Sequence, residues 1–183
     1  SLIEFAMPYN DETPFEALER RLLEANGNTF VDYSFHGCFF GNNINDIHQV
    51  KELIQFGIPS IKMFTVYDNG IRINKGAIYE ILKEINRYHG LALFHAENHE
   101  IISWNIEKLI AQKQLTPAFH AKSRPSISEA EEVASLLSLI EETEAPSLFV
   151  HMSTGGAKEL LQYYRRNKNF PVYTEVCPQY LSL

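Results

Sequence analysis

Ser60-Ile61-Lys62-Met63-Phe64-Thr65-Val66-Tyr67 is a nearly continuous apolar run that follows Gly57-Ile58-Pro59. A run of this kind predicts a buried strand of a parallel sheet. Lys62 is the discordant residue, because an ionised lysine in such a strand is costly unless something compensates it. Two more strand-like runs, Leu91 to His95 and Leu148 to His151, each end on a histidine. Taken singly, such a histidine is more often a satisfied core residue, and Lys62 reads as a strand-edge or carboxylate-paired lysine. Together, one lysine and two histidines at strand ends resemble parts of a metal site, since imidazole is the commonest zinc ligand at neutral pH.

Outward from this stretch the chain alternates. Leu2 to Met7 is strand-like. Thr13 to Asn26 carries helix periodicity, with Phe15, Leu18, Leu22 and Leu23 on one face, Thr13 as cap and Pro14 at the first helical position. Thr29 to Phe35 predicts the next strand, and Asn45 to Phe56 a helix ended by Gly57. After the Lys62 strand, a helix is expected from about Lys75 to His89, with Ile78, Ile81, Leu82 and Ile85 at three- and four-residue spacing. The His95 strand leads to a helix over His99 to Gln114 and a loop holding Pro117, His120, Ser123, Arg124 and Pro125. Ser128, with Glu131 three residues on, predicts the cap of a long helix reaching about Glu142. The His151 strand, a Ser153-Thr154-Gly155-Gly156 turn, a helix to about Asn167 and a strand over Pro171 to Val176 complete the pattern.

Six strands alternating with helices predict a parallel sheet with right-handed crossovers. Doubly wound sheets and (β/α) barrels both fit. No GxGxxG or P-loop follows any strand, which disfavours a nucleotide-binding sheet. Polar residues at the C-terminal ends of several strands favour the barrel, whose chemistry sits on that rim. A closed barrel needs eight strands, so the expectation is a partial (β/α)8 barrel of about six units. The 183 residues are read as one incomplete domain.

The formal net charge of −7 argues against nucleic acid or an anionic membrane as partner. No stretch approaches about 18 apolar residues, and no basic n-region opens the chain, so a cytoplasmic protein is expected. Cys38 and Cys177 have no metal-ligand spacing and read as reduced, buried structural cysteines rather than a disulfide.

The motifs resemble those of the cyclic amidohydrolases, most of all the hydantoinases and dihydropyrimidinases. Ile61-Lys62-Met63-Phe64-Thr65-Val66-Tyr67 resembles the family's carbamylated-lysine strand, with its tyrosine five residues on. Phe94-His95-Ala96-Glu97-Asn98 resembles its single-histidine strand, and His120-Ala121-Lys122-Ser123-Arg124-Pro125 its His-x-x-Ser-Arg-Pro loop. Val150-His151 resembles the next ligand strand. Glu175-Val176-Cys177-Pro178-Gln179-Tyr180-Leu181 resembles the Glu-Thr-Cys-Pro-Gln-Tyr-Leu stretch, and Val31 to His36 matches in character.

The resemblance implies a hydrolase that opens hydantoins or dihydropyrimidines to N-carbamoyl amino acids, with allantoinase and dihydroorotase as near alternatives. A non-catalytic, dihydropyrimidinase-like scaffold is the alternative from another class. It implies that Lys62 is carbamylated and bridges two divalent metal ions, usually zinc, that His95 and His151 ligate one of them, and that Tyr67 donates its hydroxyl to the oxyanion. It implies a small cyclic amide as substrate, no separate organic cofactor, and a homo-oligomer. His36, His120 and Arg124 match family positions and are expected to scaffold loops.

Two family features are missing. No His-x-His pair occurs in the chain, and no aspartate follows His151. The matching segment therefore runs from about the second barrel strand through the seventh. The isolated 183 residues are expected to be inactive, with metal absent or partial and Lys62 a plain amine.

Overall fold

The computed structural model describes residues 1–9, 11–168 and 171–182. Six strands form one sheet: β1 (Leu2–Ala6), β2 (Tyr33–Cys38), β3 (Ser60–Phe64), β4 (Leu91–His95), β5 (Ser147–Phe149) and β6 (Val172–Thr174). Every neighbouring pair is parallel, and the spatial order is the chain order. A doubly wound sheet reverses strand order at a switch point. Consecutive order with helical crossovers is instead the arc of a (β/α) barrel.

The helices are α1 (Pro14–Ala25), α2 (Gln49–Phe56), α3 (Lys75–Arg87), α4 (His99–Ala111), α5 (His120–Ser123), α6 (Ser126–Thr143), α7 (Gly155–Asn167) and α8 (Gln179–Ser182). None among the described residues is long and apolar enough to cross a membrane. Local chemistry explains several boundaries. Thr13 accepts from the Glu16 amide while the Glu16 carboxylate accepts from the Thr13 amide, a capping box closed by Pro14 at the first position. Asn74 accepts from the Ala77 amide and starts α3. Gly57 ends α2 at φ +109°, where a side chain would be strained.

Register sorts the strand residues between two faces. Lys62 lies beside Leu93 and Cys38, and Phe64 beside His95, while Met63 lies beside Phe94 and Phe94 beside Phe149. Ile61, Met63, Ala92, Phe94 and Phe149 face the helices and are wholly buried. Ile78, Ile81, Leu82 and Ile85 of α3, with Val133, Leu136, Leu137 and Ile140 of α6, cover them. Each such side chain contributes about 1.5–3 kcal/mol of burial.

The structure moves some predicted boundaries. The second strand is Tyr33–Cys38, not Thr29–Phe35. Asn28 Nδ2 and Thr29 Oγ1 instead donate to the Glu24 and Ala25 carbonyls, extending the α1 terminus as a turn. Ser128 is not a cap: α6 begins at Ser126, and Ser128 Oγ donates to the Pro125 carbonyl inside the first turn. The expected Asn45–Phe56 helix is a 3-10 turn over Gly41–Asp46 followed by α2. Leu23, expected on the buried face of α1, is 75% exposed. Cys38 and Cys177 are free thiols; Cys38 is buried as expected, but Cys177 is only half-buried.

Candidate active site at the C-terminal rim of the sheet

Lys62 projects from the middle of β3 and is 3% exposed. Its Nζ donates to the Met63 carbonyl at 3.3 Å and lies 4.1 Å from the centre of the Phe64 ring. It forms no ion pair among the described residues. Burial pulls its pKa from 10.5 down to about 7, against weaker opposing pulls from Cys38 and Glu175. A large neutral fraction of this amine is therefore present at neutral pH. The neighbouring Cys38 thiol is pushed up to about 12, also by burial, and stays protonated.

His95 ends β4, while His151 lies two residues beyond β5 with its backbone in the left-handed region at φ +43°. The expected strand runs through His151, but β5 ends at Phe149, and the bend at His151 brings the two rings together. Their centroids are 4.5 Å apart, and His151 Nε2 stands 3.0 Å from His95 Nδ1. Burial lowers both pKa values, that of His151 to about 4, with the His95 and Lys62 charges adding to the shift. Both imidazoles are neutral at pH 7.

Glu97 holds the other side of His95. Its Oε2 accepts from His95 Nε2 at 2.6 Å and also pairs with Arg124 Nη1. Burial pushes the Glu97 carboxyl up, but the His95 hydrogen bond and the Arg124 charge outweigh it and hold the group ionised. A proton fixed on Nε2 leaves His95 Nδ1 with its lone pair. Neither Glu97 nor its contact with Arg124 was assigned a role from sequence. The available signal was the two-residue offset from His95, which puts both side chains on one side of an extended segment.

Tyr67 lies in the loop after β3 at φ +83°, with its ring 5.1 Å from that of His95 and 5.5 Å from the Arg124 guanidinium. Burial raises its pKa, so the phenol keeps its proton at neutral pH and can donate it in a hydrogen bond. Tyr67, His95, Glu97, Arg124, His151 and Thr154 line a cavity of about 610 Å³. Arg124 Nε is buried there and has no hydrogen-bond partner among the described residues. His120 also lines this cavity, whereas His36 lies away from its lining and bonds Ser60 Oγ through Nδ1 at 2.6 Å.

The donor chemistry fits a metal in part. Two nitrogens on one tetrahedral metal, each about 2.0–2.1 Å from it, stand about 3.3 Å apart. The facing nitrogens of His95 and His151 stand close to that spacing, both rings are neutral, and Lys62 is close enough for its charge to depress both. Among the described residues, no three His, Cys, Asp or Glu side chains gather into a complete ligand set.

No family model matches the chain. A D-hydantoinase of Streptomyces coelicolor is 30% identical over 184 residues, covering 100% of this chain and 39% of the relative. Among solved structures, a D-hydantoinase superposes over 100% of this chain and 40% of its own, with TM-score 0.94 and 26% identity. The dihydropyrimidinase from Brevibacillus agri gives TM-score 0.92 and 26% identity over 99% of this chain and 39% of its own. Fold and likeness together define a barrel protein of the cyclic amidohydrolase class. Within that class the chain belongs to the hydantoinase/dihydropyrimidinase family, and it spans about 40% of the length of the relatives it matches.

Proposed function

We propose that this chain is the central part of the barrel domain of a metal-dependent cyclic amidohydrolase. Its substrate class is hydantoins or dihydropyrimidines, opened at a ring amide to N-carbamoyl amino acids. The observation that carries the reading is the 3.0 Å approach of His95 Nδ1 and His151 Nε2, above buried Lys62 on the same face of the sheet. A neutral lysine is the form that reacts with carbon dioxide: a bond forms from Nζ to carbon, and one amine proton leaves to solvent. The resulting carbamate offers two oxygens where the ammonium offered none.

In this reading Lys62, as its carbamate, and the His95–His151 pair hold part of a site for two divalent ions, zinc by preference. Such ions supply a hydroxide at neutral pH and polarise the ring carbonyl. Glu97 keeps the His95 proton on Nε2, so that Nδ1 faces the site. Tyr67 donates its phenolic proton in a hydrogen bond to the carbonyl oxygen as negative charge develops there. Cytoplasmic location and homo-oligomeric assembly belong to the same proposal. The 183 residues contain no His-x-His pair and no aspartate after His151, so by this reading they are inactive on their own.

The test is hydrolysis of hydantoin and dihydrouracil by the full-length protein carrying this chain. Lys62→Ala should abolish turnover, and added short carboxylic acids should restore part of it. Turnover retained in Lys62→Ala without added acid overturns the bridging role.

A further inference from the structure

Glu129, in the first turn of α6, is a buried carboxylate, 8% exposed, with no ion-pair partner among the described residues. Its compensation comes instead from two consecutive residues more than twenty positions away. Its oxygens accept from the Ser153 amide at 3.1 and 3.3 Å and from Ser153 Oγ at 3.0 Å. They also accept from the Thr154 amide at 2.8 Å and Thr154 Oγ1 at 2.6 Å. Thr154 is the residue before α7 and spends its hydroxyl on Glu129 rather than on capping its own helix. The carboxylate thus sits where the N-terminal ends of α6 and α7 meet.

Four donors on one carboxylate are more than loop closure requires, and their position explains why. Ser153 lies two residues after His151, whose left-handed backbone at φ +43° is strained for a residue with a side chain. Such a conformation persists only where its surroundings over-determine it. On the strand side, the Val150 amide donates to the Phe94 carbonyl. Within the bend, the Met152 amide donates to the Glu175 carbonyl. On the far side, the anchor is Glu129.

We propose that Glu129 is a positioning residue that holds His151 Nε2 against His95 Nδ1 by clamping Ser153 and Thr154. Its importance for metal rests on the function proposed above, whereas its effect on the two rings does not. Glu129→Gln preserves volume but puts an amide N–H₂ group where the carboxylate received N–H and O–H donors. Glu132→Gln is the control. Glu132 is buried one turn on, pairs with Lys75 and touches neither Ser153 nor Thr154.

The experiment uses imidazole ¹⁵N resonances of histidine-labelled protein and calorimetric titration with Zn²⁺ alone. Glu129→Gln should shift the His95 Nδ1 and His151 Nε2 resonances and weaken Zn²⁺ binding by about 10- to 100-fold, the range for residues supporting a metal ligand. Glu132→Gln should lower thermal stability and leave the ring resonances in place. Should Glu129→Gln fail to fold, Thr154→Val removes one of the contacts and should give a smaller ring shift in the same direction. Unchanged ring resonances in the folded variant overturn the inference. Absence of Zn²⁺ binding by the unmutated full-length protein carrying this chain, on which all these variants are made, counts against the proposed function, and the resonances still decide the role of Glu129.

Discussion

The two faces of the sheet are built from alternate residues of the same strands, yet they obey different rules. On the helix side, Ile61, Met63, Ala92, Phe94 and Phe149 are hydrocarbon packed on hydrocarbon. On the opposite face, the same strands carry Ser60, Lys62 and His95, with His36 on β2. One face supplies folding free energy. The other accepts a buried amine and neutral imidazoles that a purely stabilising design would replace. The difference shows how a barrel separates stability from chemistry by a one-residue offset.

The largest effect that can test this separation is on the helix side. Phe94 is wholly buried, with its ring centroid 5.8 Å from that of Phe149. Phe94→Ala should cost about 3–5 kcal/mol, read from denaturant unfolding, because the cavity cannot refill. A loss under 1 kcal/mol would break the claim that this face is the stabilising one.

Next comes Lys62, whose contribution should have the opposite sign. Its folded pKa of about 7 lies below its ordinary 10.5, so between those values the unfolded chain binds more protons and stability rises with pH. Below pH 7 the penalty is fully present. The Cys38 thiol, raised from 9.0 to about 12, opposes the trend above pH 9. The window to measure is therefore pH 7 to 9, where the slope climbs from half of about 1.4 kcal/mol per pH unit to nearly all of it and the gain is about 2 kcal/mol. Lys62→Met should flatten that slope and raise stability at pH 7 while removing the reactive amine. A variant as pH-sensitive as the parent would mean that some other group carries the titration.

The smallest effect belongs to a polar pair on the Lys62 face. Ser60→Ala removes the Oγ partner of His36 Nδ1 and should cost about 1 kcal/mol. Chemical unfolding alongside Phe94→Ala gives the contrast directly. A Ser60→Ala loss matching that of Phe94→Ala would erase the distinction between the faces.

Much of this is legible in the sequence alone, and particular residues show why. The capping box at Thr13, the α3 stripe of Ile78, Ile81, Leu82 and Ile85, and the stop at Gly57 are local, so composition and spacing suffice to read them. The second strand was misplaced by four residues because Thr29 to Val31 is apolar enough to look buried. Its place was decided by pairing with β1 and by hydrogen bonds back onto α1. Ser128 has a capping signature, but the helix has already begun at Ser126, after Pro125.

The candidate site divides in the same way. Lys62, His95, His151 and Tyr67 are marked in the sequence by chemical type at strand ends and by family likeness. Glu97 and Glu129 are not, since a carboxylate on a polar stretch has no signature until its partners are known, and those of Glu129 lie 24 and 25 residues away.

By itself, then, the sequence determined the alternation of strands and helices, the family, and the residue types placed at the rim. Those follow from short-range propensity and apolar periodicity. Only the tertiary structure decided the register that sorts the strand residues between the two faces, that His151 bends out of its strand to meet His95 at 3.0 Å, and that Glu97 bonds His95 while Glu129 bonds Ser153 and Thr154. The reason is physical: such contacts join residues far apart in the chain, and their strength depends on burial and charge that no local window contains.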